Sequence, residues 1–453
     1  MRLSLPMFVA MSAMMGLNIV DTYFIGRLGT EQLAAMGFTL AVVMAVNSVN
    51  MGIGMGTTAV ISRVIGRGDV REARRLAVDA IALGVTVALG IVTIGLTTID
   101  PLFRAMGADG QVLEYVRQYM MIWYLGLPLI VIPQVGNSGV RATGDTKTPA
   151  MIMVSVLVVN AILDPLLMFG YGPFPEYGLR GAAIATVIAQ AIAMMISLLV
   201  LRRMGLFALE RQRVTEVLSA WKRVLAIGIP AATTQLITPI STGVVTAIVA
   251  GYGVAAVAGF GVAGRLEMLM LMFVMALGAA LIPFIGQNLG AGLRSRVSQA
   301  TRAGIIFALG WGLFVWMVAL VFGRHIAGVF NDNPAVIAVV TSYMAIVYPS
   351  YLMLGALQTV TNSLNALHRP MRSLTISLLR MFVLYVPLAY LGASIWGLTG
   401  VWWAAFAANM SAGGVAIAWL RSTLHHMSTE EPVPASGTAQ AARAASVVVK
   451  GGA

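Results

Sequence analysis

Two aspartates, an asparagine and a threonine are the polar residues whose positions suggest chemistry inside long apolar stretches. Asp21 lies in the first such stretch, Asn160 and Asp164 lie four residues apart in a later one, and Thr186 lies in the next. A spacing of four places Asn160 and Asp164 on one face of a helix. Neighbouring carboxyl groups in an apolar medium take up a proton reversibly, and the same oxygens can coordinate a cation. The four residues predict a proton site, with a Na⁺ site at Asp21, Asn160 and Asp164 or a static polar network as alternatives.

A second set of ionisable residues, Arg265, Glu267 and Arg380, lies in apolar stretches nearer the C-terminus. We expect all three to be buried charges. At a rise of about 1.5 Å per residue, Glu267 and Arg380 fall at similar depths in their predicted helices. Opposite charges compensate each other in an apolar medium, so we expect these two to form a structural ion pair. A role in binding substrate or coupling ion is the alternative.

The composition requires lipid as the solvent for most of the chain. Of 453 residues, 59% are hydrophobic and only 10% are charged, whereas soluble proteins carry about 25% charged residues. The chain has no cysteine, which excludes disulfides and thiolate metal sites. Its four histidines lack the His-Glu-x-x-His spacing of metalloproteases. We therefore expect no enzyme, no bound metal and no cofactor apart from H⁺ or Na⁺ as a coupling ion.

Twelve apolar stretches have the length of about 20 residues that a membrane-spanning helix needs. They cover residues 4–26, 32–62, 74–99, 112–139, 149–171, 179–201, 224–250, 254–286, 302–323, 335–364, 373–392 and 397–420. The sequence thus predicts an all-α polytopic membrane protein with twelve transmembrane helices.

Basic residues are distributed unequally between the connections of these helices. The even-numbered connections contain eighteen: Arg63, Arg67, Arg71, Arg74, Arg75, Arg141, Lys147, Arg202, Arg203, Arg211, Arg213, Lys222, Arg223, Arg294, Arg296, Arg302, Arg369 and Arg372. The odd-numbered connections contain five: Arg27, Arg104, Arg117, Arg180 and Arg324. Because basic residues favour the cytoplasmic side, both termini are predicted to be cytoplasmic, in an inner (plasma) membrane. Topology and anionic lipid explain the net charge of +12, so nucleic acid is not an expected partner.

The chain repeats itself at an offset of 224 residues. The matching pairs are Pro6 with Pro230, Gly29 with Gly253, Gly37 with Gly261, Gly54 with Gly278, Gly66 with Gly290, Gly68 with Gly292, and Tyr119-Met120 with Tyr343-Met344. One constant offset indicates a duplicated six-helix unit, and an even number of helices makes the two copies parallel. Parallel repeats are typical of secondary transporters. The acids are not duplicated, because the position equivalent to Asp21 is Val245.

The repeat and the apolar pattern together predict four regions. These are an N-terminal six-helix lobe at 1–201, a cytoplasmic linker at 202–223, a C-terminal six-helix lobe at 224–420 and a disordered cytoplasmic tail at 421–453. The tail prediction rests on its low complexity and the lack of a periodic apolar face.

Five segments resemble the multidrug and toxic compound extrusion (MATE) family. They are VDTYFIGRLG (20–29), RATGDTKTP (141–149), NAILDPLLMFG (160–170), GRLEM (264–268) and IGQNLGAG (285–292). The resemblance covers about residues 1–420 and is nearest to the branch of the DNA-damage-inducible F proteins. It implies that Asp21 is the coupling acid of helix 1 and that Asn160 and Asp164 are the Asn-x-x-x-Asp of helix 5. The acids of the other large bacterial branch fall on Thr238 and about Leu357 here, which favours coupling in the first lobe.

The resemblance further implies a monomeric, V-shaped pair of lobes in the lipid bilayer that exports small cationic or amphipathic molecules in exchange for H⁺ or Na⁺. A flippase for lipid-linked oligosaccharides or other lipids is the alternative with the same duplicated plan. Such flippases line their cavity with many basic residues, whereas only Arg265 and Arg380 lie well inside the predicted helices of this chain, away from their ends.

Overall fold

The computed structural model describes residues 4–207 and 213–429 of the 453-residue chain. Within these ranges every regular element is helical, and twelve helices are long and apolar enough to cross a membrane. The predicted fold class, an all-α polytopic membrane protein with twelve transmembrane helices, is confirmed.

The helices follow one another with short connections. Their bounds are α1 Ser4–Leu28, α2 Thr30–Gly66, α3 Val70–Ala105, α4 Gly110–Ala142, α5 Lys147–Phe169, α6 Leu179–Arg203, α7 Val214–Ala250, α8 Val254–Gly290, α9 Arg294–Phe330, α10 Pro334–Ala366, α11 Pro370–Trp396 and α12 Leu398–Thr429. Two of them are irregular: α10 contains a 3₁₀ turn at Tyr348–Ser350, and α11 contains a π-helical segment at Leu379–Tyr385.

The internal repeat is visible in the positions at which helices begin and end. Helices α2 and α8 end at Gly66 and Gly290, which is the offset of 224 residues read from the sequence. The turns that follow contain Gly68 and Gly292, with φ angles of +83° and +74°. Only glycine adopts such angles without strain, which explains why both copies have glycine there.

The described residues fall into two compact units, which we call unit 1 (4–232) and unit 2 (233–429). In unit 1, α4 packs against α2, α3 and α6, while α5 packs against α1 and α6. In unit 2, α10 packs against α8, α9 and α12, and α11 packs against α12. The fourth helix of each copy therefore lies at the centre of its own unit.

The unit boundary lies inside α7, later than the predicted linker at 202–223. Helix α6 continues to Arg203 and α7 already begins at Val214, because backbone hydrogen bonding continues where a helix leaves the apolar layer. Residues 208–212 of the predicted linker lie outside the described residues. Of the predicted tail at 421–453, residues 421–429 complete α12, and the remainder also lies outside the described residues.

The first half of α7 packs against α2 within unit 1. A Cβ atom added to Gly52 or Gly56 of α2 would overlap the backbone of α7, at Gly228 and Val224 respectively. Small residues at a crossing allow two membrane helices to approach this closely. Unit 1 therefore contains residues 214–232, of which the sequence analysis assigned 224–232 to the C-terminal lobe.

We expect the crossing of α11 and α12 to be intolerant of any added side chain. Gly392 and Gly400 face each other there, and a Cβ on Gly400 would overlap the carbonyl oxygen of Gly392. Gly400→Ala should lower the free energy of unfolding by about 1–3 kcal/mol, because the helices must separate. Thermal unfolding of the detergent-solubilised protein measures this loss. Gly414→Ala is the matched control on α12, since nothing lies within 4 Å of its added Cβ, and an equal loss in both variants would contradict the steric explanation.

Candidate functional site

Helix α5 brings two polar side chains of unit 1 to the helices on either side of it. It begins where Asp145 Oδ1 accepts hydrogen bonds from the backbone N–H groups of Lys147 (2.9 Å) and Thr148 (3.1 Å). Asn160 and Asp164 follow one turn apart, and both are fully buried. Because α5 packs between α1 and α6, these two side chains meet Asp21 of α1 and Thr186 of α6.

The Asn160 amide connects the two aspartates. With its nitrogen turned towards the carboxyl groups, it donates to Asp21 Oδ1 at 2.7 Å and to Asp164 Oδ2 at 3.0 Å. The other end of the amide lies 3.4 Å from Thr186 Oγ1, where an amide oxygen accepts from the hydroxyl. All four residues identified from the sequence are therefore brought together.

Asp21 and Asp164 lie close to each other, because the Asn160 amide nitrogen is within hydrogen-bonding distance of both carboxyl groups. A hydrogen bond between two carboxyl groups requires a proton on one of them, because an ionised carboxylate has only acceptors. Two like charges this close cannot both persist in a medium of low dielectric constant. In this geometry the pair, which we call the acid pair, can hold one proton and exchange it.

Tyr119 of α4 lies near this site, and the sequence analysis did not identify it as a candidate site residue. Its side chain is only 6% exposed and lies within electrostatic range of both Asp21 and Asp164. The signal that could have identified it is the repeat, in which Tyr119 matches Tyr343.

Tyr343 holds the acid of unit 2. Its hydroxyl donates to Glu267 Oε2 at 2.7 Å. The rings of Tyr348 and Tyr351 stack nearby with centroids 4.5 Å apart, and both side chains are 1% exposed. An aromatic and hydroxyl-rich environment therefore surrounds Glu267 in the core of unit 2.

Arg380 has a different partner from the one expected. It donates from Nη1 to Asn409 Oδ1 at 3.1 Å, and Asn409 Nδ2 donates to Ser350 Oγ at 2.9 Å. Glu267 and Arg380 lie within electrostatic range, yet the described residues contain no direct ion pair between them. The expected pair is corrected to two separate hydrogen-bonded groups, because similar depth along two helices does not fix the direction in which each side chain points.

Arg265 was expected to be buried, and this expectation is wrong. It lies two residues before Glu267 on α8, so its side chain points about 200° away around the helix. The side chain is exposed, whereas Glu267 is half-buried inside unit 2. The charges of Arg265 and Glu267 therefore belong to opposite faces of α8.

The MatE family model matches the chain twice, over residues 6–166 and 230–391. The two matches begin 224 residues apart, which is the offset of the internal repeat. The family pattern is thus present once in each copy.

Three similar proteins cover nearly the whole chain. The FAD transporter of Shewanella oneidensis is 38% identical over 407 residues, which are 88% of this chain and 89% of that protein. The multidrug export protein MepA of Staphylococcus aureus is 25% identical over 406 residues, covering 89% of this chain and 88% of that protein. The crystal structure of the MATE transporter VcmN of Vibrio cholerae in its bent form has a TM-score of 0.89 and 31% identity, covering 94% of this chain and 96% of that chain.

We expect Glu267 to be coupled energetically to Tyr343 more strongly than to Arg380. Tyr343→Phe removes the hydroxyl that donates to the Glu267 carboxyl group. This loss should lower the free energy of unfolding by about 1–3 kcal/mol. In double-mutant cycles with Glu267→Gln, the coupling with Tyr343→Phe should exceed that with Arg380→Gln. Thermal unfolding in detergent gives both values. A larger coupling with Arg380 would restore the ion-pair interpretation.

Proposed function

The chain belongs to the MatE family of membrane transporters, and from this premise we propose that it is a secondary active exporter that couples efflux to proton entry at the acid pair. The observation that carries the proposal is the meeting of the Asp21 and Asp164 carboxyl groups at the Asn160 amide, an arrangement in which the two acids can hold one proton. An unpaired acid inside a membrane has a high free energy, and paired intramembrane acids are typical of proton relays. No catalytic role is required of the chain, because members of this family are transporters and not enzymes.

The two coupling ions require opposite orientations of the Asn160 amide. With a shared proton its nitrogen donates to both carboxyl groups, whereas a bound cation would require the amide oxygen to face the site. Coordination of Na⁺ by Asp21, Asn160 and Asp164 is the second candidate, since turning the amide would supply three oxygen ligands.

Protonation can drive transport only if the protonated and unprotonated states differ in their affinity for substrate or in their conformation. Helix α1 has two weak points, Pro6 and Gly16, at which it can bend. Neutralising the acid pair removes a charge that otherwise needs water. We propose that external protonation lets α1 bend and the cavity of unit 1 close, which releases the substrate outward.

Two substrate classes are supported by different observations. The buried carboxyl groups and the similarity to MepA support cationic or amphipathic compounds, as in multidrug efflux. The higher identity to the FAD transporter supports a flavin dinucleotide. FAD is the first compound to test, because 38% identity exceeds 25% over nearly equal lengths. A lipid flippase remains the alternative of a different class.

The site of action follows from the twelve apolar helices, which require a lipid bilayer. The excess of arginine in the even-numbered connections supports placing both ends of the described chain in the cytoplasm of a cell with an inner membrane. A monomer is proposed, because the acid pair and all its partners lie within one unit.

Asp21→Asn is expected to abolish active efflux while leaving the protein folded and inserted, because an amide cannot exchange a proton with Asp164 at physiological pH. Efflux of FAD and of ethidium from energised vesicles measures the loss. Asp109→Asn is the matched control, since Asp109 is exposed and its side chain caps no helix. Active efflux by Asp21→Asn at the wild-type rate would exclude Asp21 as the coupling acid.

Substrate affinity is expected to weaken as pH falls through the titration of the acid pair, because the protonated pair favours release. This dependence should disappear in Asp21→Asn. Equilibrium binding at several pH values, with and without sodium, tests both coupling ions. A pH-independent affinity that changes only with sodium would favour the cation site.

A further inference from the structure

Arg265 lies deep within the apolar length of α8. Eleven residues, all apolar or small, separate it from the beginning of the helix at Val254. At about 1.5 Å per residue this is roughly 17 Å, farther than one arginine side chain extends. The residues from Leu266 to Gly286 are also apolar or small, apart from Glu267. Arg265 therefore lies inside a continuous apolar stretch of α8.

The guanidinium is not neutralised by the rest of the described chain. Arg265 is exposed and forms no hydrogen bond or ion pair with residues 4–207 or 213–429. The nearest acid in sequence, Glu267, points away and accepts from Tyr343. Arg380, the other arginine in the apolar part of unit 2, donates to Asn409. Arg265 is thus the cation of this part of unit 2 whose hydrogen-bonding groups are available to a ligand.

The surface beside Arg265 is open. Gly261 lies on the same face of α8, four residues before Arg265, and nothing lies within 4 Å of a Cβ added to it. Met268, one turn further, is 57% exposed. The missing side chain leaves space next to the guanidinium, and Met268 supplies a flexible apolar contact for a planar ring.

Charges within apolar membrane helices almost always face water, a partner or a ligand and not hydrocarbon. We propose that Arg265 binds a phosphate, or a chemically similar anionic group, of the transported compound. The guanidinium offers paired N–H donors that match phosphate oxygens, which a lysine cannot reproduce. This proposal rests on the proposed function, because it assigns the class of substrate to the same transporter: a phosphate-bearing amphipathic compound, and not a simple cation.

The test is equilibrium binding to the full-length protein in detergent, without an ion gradient. FAD carries a pyrophosphate, and riboflavin carries the same ring without it, so the pair isolates the anionic group. Arg265→Gln should raise the Kd for FAD about tenfold or more while the Kd for riboflavin changes little. Arg265→Lys should fall between wild type and Arg265→Gln. Arg324→Gln, at an exposed arginine of α9, is the matched control and should bind FAD like wild type.

A second arm identifies the source of the phosphate. Nanodiscs containing phosphatidic acid are compared with nanodiscs of phosphatidylcholine alone, and displacement of bound FAD is measured. Displacement by phosphatidic acid that is lost in Arg265→Gln supports the proposal with a lipid phosphate as the ligand. Three outcomes overturn the proposal. The first is that Arg265→Gln binds FAD and phosphatidic acid like wild type, and the second is that Arg265→Gln loses affinity for riboflavin as much as for FAD. The third is that wild type binds neither FAD nor phosphatidic acid. Because no gradient is used, these outcomes are independent of whether Asp21 couples transport to protons.

Discussion

A carboxyl group inside a bilayer must either be protonated or have its charge stabilised by hydrogen-bond donors. The structure of unit 1 depends on this constraint. Asp21 and Asp164 meet at the Asn160 amide, which can donate to both carboxyl groups. The arrangement needs α1, α5 and α6 at fixed distances, since the amide of α5 lies 2.7 Å from Asp21 of α1 and 3.4 Å from Thr186 of α6. The packing of α5 between α1 and α6 is therefore a condition for the chemistry as well as for stability.

The two copies share the position of a tyrosine on their fourth helix but differ in the acid that lies near it. Tyr119 and Tyr343 occupy matching positions, and each lies beside an acid of its own unit. The acids themselves come from different helices, since Asp21 is replaced by the fully buried Val245 in the second copy. A matching tyrosine that meets a different acid indicates that the two units have diverged in the charge they hold while conserving the fourth-helix scaffold.

Much of the fold and part of the site could be predicted from the sequence, for identifiable reasons. Apolar windows predict membrane helices because lipid admits few alternatives, and the shared face of Asn160 and Asp164 was predictable because a four-residue spacing fixes it on a helix. The exposure of Arg265 and the separate partners of Glu267 and Arg380 were not predictable. Counting residues gives the depth of a side chain, but the direction in which it points depends on helix rotation, which tertiary packing determines. The 3₁₀ turn of α10 and the π segment of α11 lie at Pro349 and just before Pro387, where a proline removes a backbone donor, and this signal was not used.

The packing of α7 against α2 has a consequence for the order in which the protein is made. A nascent chain that has inserted only its first six helices, through Arg203, still exposes the glycine face of α2 at Gly52 and Gly56. That face acquires its partner only when residues 214–232 have left the ribosome and entered the membrane. The first unit therefore matures during synthesis of the second copy, so the gene duplication does not correspond to two independently completed steps of biogenesis.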